Sequence, residues 1–243
     1  MTEAGPVARS TPKARRTRAR ILDSSLLLFQ EKGFHETSMR DIAARAGLSL
    51  GATYYHFRSK DDLVFAFYAR TQEDAEREAL ATLAATSNFE ERLRSLLAMR
   101  LDHLAVYRGF FSVLANQALD FNHPLSPFGS ESEPTRERAI EIMRRAMEGS
   151  DLRVHETLRP RLPLLLWLLQ MGLIFLWVHD QSEAQVRTRR ITDLCLGLLT
   201  RLLALSAAPI PGLSRVVSLL DQLIGEILEL GARSGSSHEE PAQ

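Results

Sequence analysis

From Arg15 onward, apolar residues recur at three- and four-residue intervals along most of the chain, and no segment alternates apolar with polar positions as a half-buried strand would. The pattern predicts an all-α fold. Ile21, Leu22, Ser25, Leu26, Leu28 and Phe29 share one face of a first helix over 15–32, with Gly33 as its C-terminal stop. A second helix starts at Ser38, where Asp41 supplies the carboxylate expected three residues after a serine cap. It turns Met39, Ile42, Ala43 and Ala46 inward and ends at Gly47. Ser49 caps a short third helix over 50–57, and Ser59-Lys60-Asp61-Asp62 opens a fourth that runs to about residue 85. Two short helices joined by the turn Gly47-Leu48-Ser49 make a helix-turn-helix, in which Ala43 must stay small for the helices to cross closely.

Beyond residue 86 the predicted helices are longer and more apolar. One begins at the Ser87/Asn88 cap with Glu90 and Glu91 in its first turn, and an aromatic-rich piece, VYRGFFSVLANQALDF, follows. A Pro/Gly/Ser connector over 121–134 leads to a helix from Ser132 to Gly149 with Pro134 in its first turn. An apolar helix over 158–179, another over 183–206 and a last one over 213–230 complete the pattern. In the last, Val216, Leu220, Leu223, Ile227 and Leu230 keep coiled-coil-like spacing. These elements divide the chain into a polar arm (1–14), a three-helix head (15–62), a larger helical body (63–230) and a polar tail (231–243). Arm and tail read as disordered from their small, polar, Pro- and Gly-containing composition.

Composition changes the picture in one respect. The chain of 243 residues carries no net charge, yet residues 1–60 hold 11 Lys/Arg against 5 Asp/Glu, so the remainder is acidic by the same margin. A basic head on an acidic body is the asymmetry of a nucleic-acid-binding module joined to a separate one. The single cysteine, Cys195, excludes an intramolecular disulfide and sits in an apolar helical pattern that suits burial. The polar, basic N-terminus does not read as a secretory signal. The run from Leu164 to Val178 is interrupted by Gln170 and falls short of the roughly 20 residues of a spanning helix, so it reads as a helix buried among others or in a subunit interface, not in a membrane.

In a helix-turn-helix the second helix enters the major groove of double-stranded DNA. Gly51 and Ala52 would admit close backbone approach, with Ala52 able to touch a thymine methyl. Tyr54, Tyr55 and His56 carry donors for phosphates or base edges. One tyrosine of the pair could instead pack into the core, and His56 could serve as a cap contact. Thr37, Ser38, Arg40 and Lys60 flank the helix as candidate phosphate contacts, with Ser49 and Leu50 at its entrance. The basic residues Arg9, Lys13, Arg15, Arg16, Arg18 and Arg20 suit the adjoining backbone or minor groove.

The segment RARILDSSLLLFQEKGFHETSMRDIAARAGLSLGATYYHFRSKDDLVFAF (18–67) resembles the DNA-binding head of TetR-family transcriptional regulators. The matching parts are LFQEKGF closing the first helix, TSMRDIAARAGLS through the second, GATYYHF as recognition helix and SKDDL opening the fourth. The resemblance implies a cytoplasmic, nucleoid-associated homodimer that binds a palindromic operator, usually represses, needs no cofactor and is released by a small-molecule effector held in the body. It makes Tyr54 and Lys60 phosphate contacts and turns Leu50, Gly51, Ala52, Tyr55 and His56 to the groove. Arg40 faces DNA from the second helix, and Thr53 lies in the core.

Candidate effector contacts in the body are His103, Tyr107, Phe110, Phe111, Asn116, Gln117, Trp167, Gln170 and Met171: apolar walls with a few polar groups. Each aromatic among them could equally be ordinary core. Gln170, a lone amide in an apolar run, must find a partner in a ligand, a neighbouring helix or a second subunit. Dimerisation is expected through 162–178, 187–205 and 213–230. A regulator whose body binds a protein partner, or no effector, is the competing reading; a cavity around Gln170 and Tyr107 would favour the ligand. Catalysis is not indicated, because the chain has no HExxH, GxSxG, Cys/His metal spacing or phosphate-binding glycine loop.

Overall fold

The computed structural model describes residues 11–105, 107, 108, 111 and 125–207, with isolated positions between 212 and 222. Its elements are α1 (Pro12–Lys32), α2 (Met39–Arg45), α3 (Leu50–His56), α4 (Lys60–Ala84), α5 (Phe89–Ala105), α6 (Glu133–Met147), α7 (Leu162–His179), a 3-10 turn (Glu183–Gln185) and α8 (Val186–Ser206). Among the described residues there is no strand. The chain forms two compact units that divide inside α4, between Phe67 and Tyr68. The division falls five residues beyond the expected head boundary because Leu63, Val64 and Phe67 are all fully buried and belong to the first unit.

In the head, α1 begins three residues earlier than its apolar pattern, at Pro12. The Thr11 hydroxyl accepts from the Ala14 N–H at 3.2 Å, and proline suits the first helical position. Residues 12–14 are therefore helical rather than part of a disordered arm. The predicted face is buried as expected, from Ile21 to Phe29. A full capping box opens α2: Asp41 N–H donates to the Ser38 hydroxyl, and Ser38 N–H donates to the Asp41 carboxylate. Gly47 turns the chain with φ +61°, a left-handed conformation that strains any residue with a Cβ, although open space surrounds it. Ser49 then caps α3 through Ala52 N–H. Ile42, Ala43 and Thr53 are all buried where the helices meet.

In the body, Asn88 caps α5 through Glu91 N–H, and Asp151 from a distant loop takes the Phe89 N–H at 2.7 Å. Helix α7 starts at Leu162, four residues later than predicted. Pro160 has no N–H to donate, and Pro163 fits only a first turn, so 158–161 form tight turns instead. Helix α8 is likewise delayed by Ala184 and Gln185, both left-handed at φ +50° and +51°. The Asp180 carboxylate accepts from the backbone N–H groups of Ser182 and Thr188 and from their hydroxyls, and these bonds hold its pKa well below the usual carboxylate range. Arg108 grips the other side of this junction through the carbonyls of Trp177, Val178 and Asp180.

The main core joins Leu93 and Leu97 of α5, Met143 of α6, Leu166 and Trp167 of α7, and Leu196 and Leu203 of α8. Helix α7 is the one described helix long and apolar enough to cross a membrane; about 44% of it is buried in the body. The helix predicted over 213–230, the arm before residue 11 and the tail lie outside the described residues.

Candidate nucleic-acid interface and effector cavity

Helix α3 separates its two jobs by face. Thr53 is fully buried and its hydroxyl donates to Ser49 O at 3.2 Å. Tyr54 and Tyr55 are 46% and 85% exposed, so neither ring is core. Gly51 is exposed beside them, while Leu50, Ala52 and His56 are half-buried at the edges. The Tyr55 and His56 rings meet edge to face at 5.2 Å. Arg40 stands exposed on α2. The surface thus presents two phenols, a guanidinium and a bare glycine backbone.

Five predicted contacts have structural duties, of which only the Ser38 and Ser49 caps were expected from the sequence. Thr37 is buried, with its hydroxyl 2.8 Å from Gly33 O and 3.3 Å from Leu28 O, so it ties the α1–α2 turn instead of facing solvent. The Ser38 hydroxyl is engaged in the capping box, and Ser49 caps α3. Lys60 Nζ donates to Phe34 O at 2.7 Å and His35 O at 3.2 Å and lies 4.6 Å from the Phe34 ring centroid. Of its three N–H donors one is left for a phosphate. Arg18, expected as a basic contact, donates to His56 O at 2.9 Å and stacks on Phe57 at 4.1 Å. It therefore fixes the C-terminal end of α3. Lys13, Arg15, Arg16 and Arg20 are exposed along α1; Arg9 lies outside the described residues.

The body contains a cavity of about 400 Å³ between α4, α5, α6, α7 and the 125–132 connector. Of the predicted effector residues, Phe111, Trp167 and Met171 line it, with Phe128 packed edge-on to Trp167 at 5.5 Å. Gln170 is buried but borders a separate recess of about 10 Å³. His103 and Tyr107 do not line the cavity: His103 Nε2 is 3.0 Å from Glu78, and the Tyr107 hydroxyl receives Arg70 at 3.4 Å. Phe110, Asn116 and Gln117 lie outside the described residues.

The residue that sequence reasoning missed is Arg100. It lies in the cavity wall, on the same α5 face as buried Leu93, Leu96, Leu97 and Leu104. A cation at a core position of that 3–4 repeat was the available signal. Nη1 donates to Thr71 O at 3.0 Å, and Nε is enclosed with no acceptor. Burial pulls its pKa down to about 10, so it stays protonated at neutral pH. Burial likewise raises the Tyr68 phenol on the same wall. A second hollow of about 440 Å³, near Glu133, Glu137 and Arg144, has charged walls and lacks this apolar enclosure. Among the described residues no group of three His, Cys, Asp or Glu could hold a metal.

Known proteins match both units. Residues 21–67 fit the family model for bacterial regulatory proteins of the tetR family, and 92–222 fit that for the tetracyclin repressor-like C-terminal domain. The chain is 36% identical over 101 residues to the probable HTH-type transcriptional regulator ArpR of Pseudomonas putida, a stretch covering 42% of this chain and 46% of that regulator. It is 31% identical to the uncharacterized HTH-type regulator TtgW of the same species, over 47% of this chain and 84% of that one. The chain thus spans about half the length of the first of these relatives. The crystal structure of a TetR transcriptional regulator from Nitrosomonas europaea superposes with a TM-score of 0.58 at 25% identity, over 74% of this chain and 96% of that one.

Proposed function

Because this chain belongs to the TetR family, and is accordingly a DNA-binding transcriptional regulator and not an enzyme, we propose that it is a homodimeric repressor, cytoplasmic and nucleoid-associated, released from a palindromic operator by a small, largely apolar ligand. The observation that carries this reading is the apolar cavity of about 400 Å³ in the body, within the range of small-molecule sites. Dimerisation is supported by a stripe on α8, where Leu194, Leu198, Leu202 and Leu205 recur at helical spacing with more than half of each exposed. A dimer on DNA must hold its recognition helices about 34–36 Å apart. A ligand that prefers a body with another spacing shifts the population off the operator, by no more than its differential affinity, typically about 1–3 kcal/mol. A body serving only a protein partner would not need this cavity, although Gln170 and Tyr107 are not the residues that line it.

Two variants test the two halves of this reading on an operator selected from genomic fragments with the purified protein. Arg40→Ala is expected to weaken binding to all sequences alike and to lower the slope of log affinity against log salt by about 0.9. An unchanged slope removes Arg40 from the phosphate contacts. Gly172 borders the cavity on α7 with nothing within 4 Å of where a Cβ would stand. Gly172→Phe is therefore expected to fill the cavity, leave operator affinity intact and abolish uptake of the neutral apolar dye Nile red. Full dye uptake by that variant would sink the assignment of this cavity as the effector site.

A further inference from the structure

The remaining polar groups of the cavity wall are mostly occupied. The Thr71 hydroxyl donates to Tyr68 O, the Ser132 hydroxyl to Ser126 O, and Arg136 Nη1 bonds the carbonyls of Pro127 and Gly129. Gln72 reaches Glu76 at 3.4 Å. Arg100 differs. Its one polar partner among the described residues is the Thr71 carbonyl, which is neutral. Among the described residues no carboxylate pairs with it, Nε is enclosed without an acceptor, and Nη2 has no hydrogen-bond partner. Nε and Nη2 form one edge of the guanidinium, the edge that pairs side-on with two oxygens of an acid. Cations in apolar surroundings are normally paired, and no described residue supplies a counter-charge to this half-buried one.

We infer that the effector is a carboxylic acid with an apolar body, its carboxylate received by the Nε/Nη2 edge of Arg100 and its body lying against Phe128, Trp167 and Met171. This rests on the cavity being the effector site. One positive charge in an apolar enclosure is balanced by a monoanion, whereas a phosphate monoester brings up to about two negative charges at neutral pH. A neutral ligand of the same shape would leave the guanidinium without its counter-charge, so discrimination between acid and alcohol is built into the wall.

Displacement of Nile red from the full-length protein tests this with matched compounds: decanoate, decanol and decyl phosphate, and 2-naphthoate against 2-naphthalenemethanol. Each acid is expected to displace the dye at a concentration lower by at least about tenfold than its alcohol. Arg100→Met should abolish that preference while still taking up the dye, and Arg100→Lys should restore part of it. Thermal melting of both variants establishes that they are folded. Equal displacement by acid and alcohol in the unaltered protein, or a preference that survives Arg100→Met in a folded protein, overturns the inference and leaves the cavity reading standing. Preference for decyl phosphate overturns the carboxylate assignment. Absence of dye uptake by the unaltered protein overturns the cavity reading and this inference together.

Discussion

Replacing Ile42 by alanine is expected to abolish operator binding while the body stays folded. Ile42 is fully buried in the head, flanked by Ala43 and Ala46 on the inner face of α2, and it fixes the distance from that helix to its neighbours. Removing its side-chain carbons costs about 2–5 kcal/mol, from lost burial and the hole left behind. A small compact unit has little stability in reserve. Hydrogen exchange of the full-length protein would show amides of α1–α3 losing protection while those of α5–α8 keep theirs, and gel-shift binding would disappear in parallel. Retention of head protection together with operator affinity would mean that α2 can repack around the missing atoms.

The second large effect lies in the body. Arg92 is buried and donates to three carbonyls: Nε to Thr86 O at 2.6 Å, and Nη1 to Glu148 O at 2.6 Å and Ala146 O at 3.5 Å. One guanidinium thus closes the entrance of α5 and the exit of α6. Arg92→Met keeps much of the volume and leaves those carbonyls without a donor. Hydrogen bonds to a charged group contribute about 1.5–3 kcal/mol each, so a loss of about 3–5 kcal/mol is expected. In a unit of this size that lowers the melting temperature by on the order of 10 °C. Arg92→Lys should recover only part of the loss, because an ammonium lacks the planar fork that reaches both helix ends. A melting temperature within a degree of the unaltered protein would show that water replaces the guanidinium without penalty.

The head was legible because its signals are local. Ser38 and Asp41 are three residues apart, Gly47 marks its own turn, and Ser49 precedes the helix it caps. Each acts within one turn of chain, where spacing and chemistry suffice. The partnerships of Lys60 with the Phe34 and His35 carbonyls, of Arg18 with His56 O, and of Thr37 with Leu28 O could not be read that way. Their partners are backbone carbonyls, which every residue has, brought near by folding. The same reason hid the role of Arg92, and Asp151 accepts from the Phe89 backbone N–H, an equally anonymous partner. In the body, apolar patterning located α5 to α8 but could not choose between packed core and cavity wall: Trp167 is both, being nearly inaccessible and yet bordering the hollow. Arg100 was overlooked although a signal was there, a charge on the α5 core face. The expected polar contact Gln170 is buried against a separate small recess, a choice of face that an all-round apolar helix does not announce.

The division of faces on α3 has a practical consequence for reprogramming. Gly51, Tyr54 and Tyr55 are exposed, while Thr53 and the adjoining Phe57 are anchored in the interior. The outward positions can be randomised as a set without asking the head to find a new core. If α3 reads DNA as proposed, a library confined to Gly51, Tyr54 and Tyr55 searches DNA addresses almost independently of foldability, and the helix behaves as an interchangeable label on a constant mount.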